Sequence, residues 1–294
     1  MSALATSNLR AGLSLALAVL ALAAAPGRAE ACPGYDLVPV LTEGRIYDPA
    51  DPAASFVSFD LRAADPDLPN GCRNKPVTIE IVGGTAQNPE LRSGAAVLQA
   101  DWENDPLVRR NGPRFRLTNQ ARRALGRGET IRFRLYRLPA AQFVDAGAYE
   151  QLLRFSAGNT ETVFPLEIAV SPALRFEGDS AAGVQTLDLG EISRGGRASS
   201  DFFFRTNAPV SVTLVSDNRG RLVHERGEDF GAIAYQASLS GAPVDLTGPG
   251  GAVVRGRFTA GGVQAGRLAV ETGPARAAYA GRYRDVITLT FIPY

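Results

Sequence analysis

Few side chains in this chain are suited to covalent, metal or proton chemistry: Cys32 and Cys72, the single histidine His224, and a scatter of close carboxylates. Two cysteines and no others, in an oxidising compartment, read as one structural disulfide. Closing a loop of about 40 residues stabilises a fold by roughly 4 kcal/mol on the chain-entropy model. A redox pair sits closer together, as in C-x-x-C, and a metal site takes more ligands. His224 has Glu225 and Asp229 nearby, but no Gly-x-Ser-x-Gly elbow or other nucleophile motif accompanies it, so it reads as a strand or surface residue. Asp217-Asn218-Arg219-Gly220 lacks the alternating acids and downstream Glu of a calcium loop and reads as a hairpin turn. Glu103 and Asp105 share a loop in which carboxylates are normally solvated. Gly248-Pro249-Gly250-Gly251 has no Lys or Ser/Thr placed to cradle phosphate. No catalytic residue, metal or cofactor is expected, and the chain does not read as an enzyme.

Arginine supplies nearly all the positive charge, Lys75 being the only lysine. Arg122-Arg123 form one group, and Arg132, Arg134 and Arg137 another. Positions 132 and 134 share one face of a strand, and Ile131, Phe133 and Leu135 the other, which reads as a solvated face over a buried one. The sharper alternative is a surface for acidic sugars or anionic headgroups, with Trp102 and Tyr136 stacking beside it. The balance of 31 basic against 30 acidic residues, net +1, gives no reason to expect nucleic acid.

The elements that would position these residues follow from composition and periodicity. At 45% hydrophobic and 21% charged, the 294-residue chain is not disordered overall, and its 31 glycines and 19 prolines favour a turn-rich all-β fold. Residues 1–31 read as a signal peptide: Arg10 closes a short polar region and Leu13 to Ala25 form the apolar core. Small residues at Gly27/Ala29 and Ala29/Ala31 follow. That core is too short for a membrane span, and no other stretch is apolar enough for one. Glu30 argues against lipidation of Cys32. The mature chain is expected to be soluble and outside the cytoplasm.

Period-2 alternation recurs at Phe56 to Leu61, Val77 to Val82, Thr130 to Tyr136, Glu150 to Phe155 and Val163 to Val170. It returns at Ser200 to Arg205, Val210 to Val215, Ile233 to Leu239, Gly266 to Val270 and Asp285 to Ile292. Turn signals separate these runs, among them Asp48-Pro49, Gly83-Gly84 and Asn111-Gly112-Pro113. Only Thr118 to Leu125 reads as helix, with Asn119 as its cap. Landmarks repeat in order: Leu41 to Ile46 matches Leu187 to Ile192, and Asn74-Lys75-Pro76-Val77 matches Asn207-Ala208-Pro209-Val210. Gly147-Ala148-Tyr149 matches Gly281-Arg282-Tyr283, each opening the last strong strand of its half. Two tandem antiparallel β-sandwiches are expected, at 32–171 and 172–294, with a boundary near Ser171-Pro172. Tyr149 and Tyr283 are assigned structural roles as hydroxyls that pin a loop.

The second half resembles the spore coat protein U family of secreted pilin-like domains, which also supplies subunits of archaic chaperone–usher pili. The resemblance rests on Leu189-Gly190, Ser216 to Leu222, Ile233-Ala234-Tyr235-Gln236 and Ala280 to Asp285 before an alternating strand. The first half looks like the same module, with Cys32, Gly44 to Pro49, and Cys72 entering a strand. The resemblance implies immunoglobulin-like sandwiches lacking their last strand, whose hydrophobic groove a neighbouring subunit fills by β-strand addition. It implies a periplasmic chaperone and usher as partners and other pilus subunits as strand donors; a surface glycan is a further candidate partner, from the arginine surface and not from the resemblance. Val286, Ile287, Leu289 and Phe291 would line the groove of the second module.

Thr162 to Val170 is expected either to complete the first sandwich or to begin the second. The second half has no counterpart segment after Phe291-Ile292-Pro293-Tyr294, and little precedes Cys32 after cleavage. An acceptor without a donor arm belongs at a fibre tip. The function expected is therefore a secreted structural or adhesive subunit, passing through the periplasm to the cell surface. The alternatives are a two-domain periplasmic assembly chaperone, with Val163 to Val170 as its donor strand, and a carbohydrate-binding module.

Overall fold

The computed structural model describes residues 32–83, 89–111, 114–275 and 278–294. The expected signal peptide, and the turn residues Gly84, Gly112 and Pro113, lie outside the described residues. No helix among the described residues is long and apolar enough to cross a membrane.

In Ser55–Ala63 the residues Val57, Phe59, Leu61 and Ala63 are buried, and in Ile131–Leu138 so are Ile131, Phe133 and Leu135. Alternation places these side chains on one face of each strand. The two strands pair antiparallel, Phe133 opposite Phe59, within the order Leu37–Glu43, Ser55–Ala63, Ile131–Leu138, Asp101–Trp102. A second sheet packs over this one. Its order is Ile46–Tyr47, Thr160–Val170, Gly147–Ala157, Val77–Ile81, Arg114–Leu117, Val108–Asn111, and a ribbon of Glu90–Ser93 and Ala96–Gln99 joins its flank. Together they form a two-sheet β-sandwich around one hydrophobic core. One pairing is parallel, Ile46–Tyr47 beside the end of Thr160–Val170. Cys32 and Cys72 form the expected disulfide, with Cα atoms 5.3 Å apart, at the margin of this core.

From Leu174 onward a second hydrophobic core forms around Phe202, Phe204, Val212, Leu214 and Leu268. Its larger sheet orders Leu174–Glu177, Gly196–Thr206, Val263–Thr272, Ala232–Leu239, Arg221–His224 and Tyr283–Arg284. Its smaller sheet has three strands, Ala252–Phe258, Val210–Ser216 and Ile287–Pro293. The chain is therefore all-β, in two sandwiches within one compact unit, Cys32–Tyr294. Asn207 clamps the passage between them: its side chain accepts from the Ala173 N–H at 2.7 Å and donates to the Ser171 carbonyl at 2.9 Å. Its carbonyl accepts from the Ala146 N–H of the first sandwich at 3.0 Å.

Several local expectations are corrected. The helix is Asn119–Gly126 and its cap is Thr118, whose extended backbone leaves Oγ1 free to accept from the Ala121 N–H. The matched landmark Leu187 to Ile192, for which no strand is expected, lies in a loop, whereas its counterpart Leu41 lies in Leu37–Glu43. Asp217 to Gly220 is a turn but not a hairpin, because Val210–Ser216 and Arg221–His224 belong to different sheets. The Asp285 carboxylate holds that turn, accepting from Ser216 Oγ at 2.6 Å and the Asn218 N–H at 3.0 Å.

Candidate functional site: a strand with one unpaired edge

The first sandwich shows the module in completed form. Its strand Gly147–Ala157 starts beyond a loop pinned by Tyr149, whose buried hydroxyl donates to the Asp145 carbonyl at 2.8 Å. Val77–Ile81 covers one edge of this strand. Thr160–Val170 covers the other along its whole length, from Gly147 opposite Val170 to Ala157 opposite Thr160. The sequence left open where this segment belongs, and it completes the first sandwich. Phe164 projects from it to within 5.5 Å of the Phe59 ring centroid, and Leu166, Ile168 and Val170 are buried. As a result Tyr149, Gln151, Leu153, Phe155 and Ala157, the inward residues of Gly147–Ala157, are all buried.

The second sandwich repeats the lead-in and then departs. Tyr283 donates its hydroxyl to the Tyr279 carbonyl at 2.9 Å, the same four-residue return as at Tyr149. Gly281, like Gly147, has positive φ, and a Cβ there would lie 2.0 Å from His224 Nε2. Beyond Asp285 the strand Ile287–Pro293 pairs with Val210–Ser216, Leu214 opposite Leu289. No described strand pairs with its other edge. Ile287, Leu289 and Phe291 face the core yet are only half-buried, whereas the matching residues of the first sandwich are fully enclosed.

Phe176 of Leu174–Glu177 forms the opposite wall of this seam, with its ring 5.1 Å edge-on from Phe291, which also packs on Phe202 and Phe204. Leu174 and Phe176 were not singled out from the sequence, although their period-2 spacing carried the signal. Of the groove residues named there, Ile287, Leu289 and Phe291 share the seam face. Val286 does not: it precedes the strand, has the opposite parity, and is 56% exposed.

The strand's entry is tightly held. Asp285 accepts from the Tyr235 hydroxyl at 2.5 Å. Burial, and then donation to this carboxylate, raise the Tyr235 phenol well above its ordinary range, so the bond persists at any physiological pH. His224 is 4% exposed, between the rings of Phe230 and Tyr283, and its Nδ1 accepts from the Arg226 N–H at 3.1 Å. Its ring contacts no carboxylate of Glu225 or Asp229, so the geometry builds no relay.

The other sequence candidates are structurally occupied. Arg132 forks onto Asp60 at 2.6 and 2.9 Å, Arg137 meets Asp101 at 2.9 Å, and Arg134 lies over the Phe56 ring at 4.4 Å. Tyr136 is fully buried and donates to Gln151 at 2.5 Å, so it cannot stack on a ligand. Trp102 packs on Phe115 and Tyr136. Arg122 donates to the Asn74 carbonyl at 2.8 Å. Asp105 accepts from the Leu107 and Arg134 N–H groups.

No family model matches the chain. No curated protein matches it in sequence. Among solved structures, it is similar to the chaperone–tip adhesion subunit pre-assembly complex of archaic chaperone–usher Csu pili of Acinetobacter baumannii. That likeness has 13% identity over 86% of this chain and 99% of that chain, with a TM-score of 0.43. It is also similar to the C-terminal domain of the antigen I/II polypeptide BspA of Streptococcus agalactiae, at 7% identity over 87% of this chain and 90% of that one, TM-score 0.30. The C-terminal domain of the antigen I/II-family protein AspA of Streptococcus pyogenes gives 10% identity, 87% and 95% coverage, and a TM-score of 0.28. These likenesses are distant, and the functional reading rests on the geometry of the strand edge itself.

Proposed function

We propose that this chain is an exported pilus or surface-fibre subunit of the spore coat protein U type, whose second sandwich is completed by a strand from another polypeptide. The observation that carries this is the contrast between two copies of one strand. Gly147–Ala157 is covered on both edges, while Ile287–Pro293 is covered on one. Unpaired N–H and C=O groups along an apolar strand template the addition of a further strand. The first sandwich serves as the pattern for the partner: a strand antiparallel to Ile287–Pro293, with an apolar side chain at every second position. A periplasmic chaperone would hold the edge in transit and a neighbouring subunit would replace it in the fibre.

The first sandwich has consumed its own closing strand, so the described residues offer one socket. A chain with a closed module and a single socket suits a distal, tip-like place on the cell surface, the closed module facing outward. The same pairing disfavours the assembly-chaperone reading, because Val163 to Val170 is engaged along its length and not free to donate.

The test appends a second copy of residues 158–170 after Tyr294, reproducing in cis the turn and strand that close the first sandwich. The extended chain is expected to protect the amides of Ile287–Pro293 from hydrogen exchange and to stop binding a free peptide of sequence 160–170. The native chain should bind that peptide. Fast exchange in both chains, or peptide binding by neither, overturns the reading.

A further inference from the structure

The densest charge in the chain lies elsewhere. Residues 106–128 contain seven arginines and no carboxylate, in a chain whose overall charge is +1. Folding neutralises some of them: Arg114 meets Glu80 at 2.6 Å and Arg127 meets Glu129 at 2.5 Å. Arg109 and Arg116 have no ion-pair partner among the described residues, and both are exposed.

Register places these two side by side. Arg109 is directly opposite Arg116, Arg116 opposite Thr78, Thr78 opposite Ser156, and Ser156 opposite Glu161. Neighbouring strands lie about 4.8 Å apart, so this is one straight row across the outer face of the sheet. The next row holds Arg114, Glu80 and Arg154. Glu80 is already shared by Arg114 and Arg154, the latter at 2.8 Å, and Arg154 also meets Glu161 at 3.3 Å. The two rows thus carry four cations against two carboxylates, both of them committed. Like charges directly opposite on a sheet destabilise it, and among the described residues no carboxylate pairs with Arg109 or Arg116.

We propose that this face of the first sandwich binds an anionic polysaccharide, its carboxylate or sulfate groups bridging Arg109 and Arg116 and its hydroxyls meeting Thr78 and Ser156. Charge complementarity selects a polyanion, because two adjacent guanidiniums offer forked donors to planar or tetrahedral oxyanions. The hydroxyls beside the pair suit a sugar. A lipid surface would call for apolar side chains flanking the pair, but Val108, Phe115 and Leu117 all point inward and are buried. The site is independent of the strand edge in the second sandwich.

Binding of the full chain to heparin, polygalacturonate, neutral dextran and anionic phospholipid vesicles tests the assignment. The charged polysaccharides should bind in low salt and be released by high salt, and dextran should not bind. The double substitution R109Q/R116Q should weaken binding about tenfold or more, while R194Q/R197Q, which removes equal charge from exposed positions of the second sandwich, should leave it within about twofold. Thermal melting of R109Q/R116Q should be unchanged or raised, since a like-charge pair has been relieved. Equal weakening by both double variants, binding to vesicles but to neither polysaccharide, or no polyanion binding at low salt would each overturn the proposal.

Discussion

Tyr149 and Tyr283 do the same job in different surroundings, which makes the pair an internal control. Each hydroxyl returns to the carbonyl four residues earlier. The Tyr149 ring is fully buried and its bond partly enclosed, so its replacement by Phe removes a hydrogen bond that water replaces only in part and costs about 1 kcal/mol. The Tyr283 bond is exposed, and water takes over the carbonyl when the hydroxyl is removed. Urea unfolding should therefore show Tyr149→Phe losing at least twice the stability lost by Tyr283→Phe. Equal losses would mean that the second lead-in is as enclosed as the first. Burial also explains why the sequence alone could pair these tyrosines but not rank them: Ala-Gly-x-Tyr is legible as a motif, whereas enclosure depends on strands far away in the chain.

At the scale of elements, both sandwiches fasten the same two strands with the same device. Arg132 forks onto Asp60 between Ile131–Leu138 and Ser55–Ala63, and Arg267 forks onto Asp201 between Val263–Thr272 and Gly196–Thr206, each at 2.6 and 2.9 Å. In both cases hydrogen bonds from the guanidinium hold the carboxyl below its usual range. A carboxylate depressed in the folded state contributes stability above its unfolded pKa of about 3.9, and loses it as pH falls through the lower folded value. The variant D60N/D201N should therefore be less stable than the native chain at pH 6, with the difference shrinking as pH falls below the unfolded carboxyl pKa of about 3.9. Its urea midpoint, followed across that interval, checks this. A difference independent of pH would show that packing, not charge, sets the effect. Exposure of these pairs keeps the contribution small.

Elements with strong alternation were legible in advance: Val210–Ser216, Ala232–Leu239 and Ile287–Pro293 lie close to where periodicity places them. Short strands were not. Val108–Asn111 and Arg114–Leu117 have too few apolar residues to show a period, and tertiary pairing makes them strands. The free edge was legible only by analogy with the other half, and the like-charged row across the outer sheet depends on register, which a sequence does not display.

The whole molecule is asymmetric in how its two cores are secured. The first is tied by the Cys32–Cys72 disulfide and sealed by Thr160–Val170. The second has no disulfide, and Ile287, Leu289 and Phe291 remain half-open along one edge. Exposed strand amides and partly buried apolar contacts mark the low-stability end of a structure. In the native chain, the second core should thus unfold first on heating, and hydrogen exchange should be fastest in Ile287–Pro293 while Gly147–Ala157 stays protected. Replacing both cysteines with serine removes roughly 4 kcal/mol from the first core on the chain-entropy model, and should bring the two transitions together from the upper side only. If the native chain melts in one transition with equal protection of the two strands, the half-open seam is no weaker than the closed one, and strand addition from outside would have little left to stabilise.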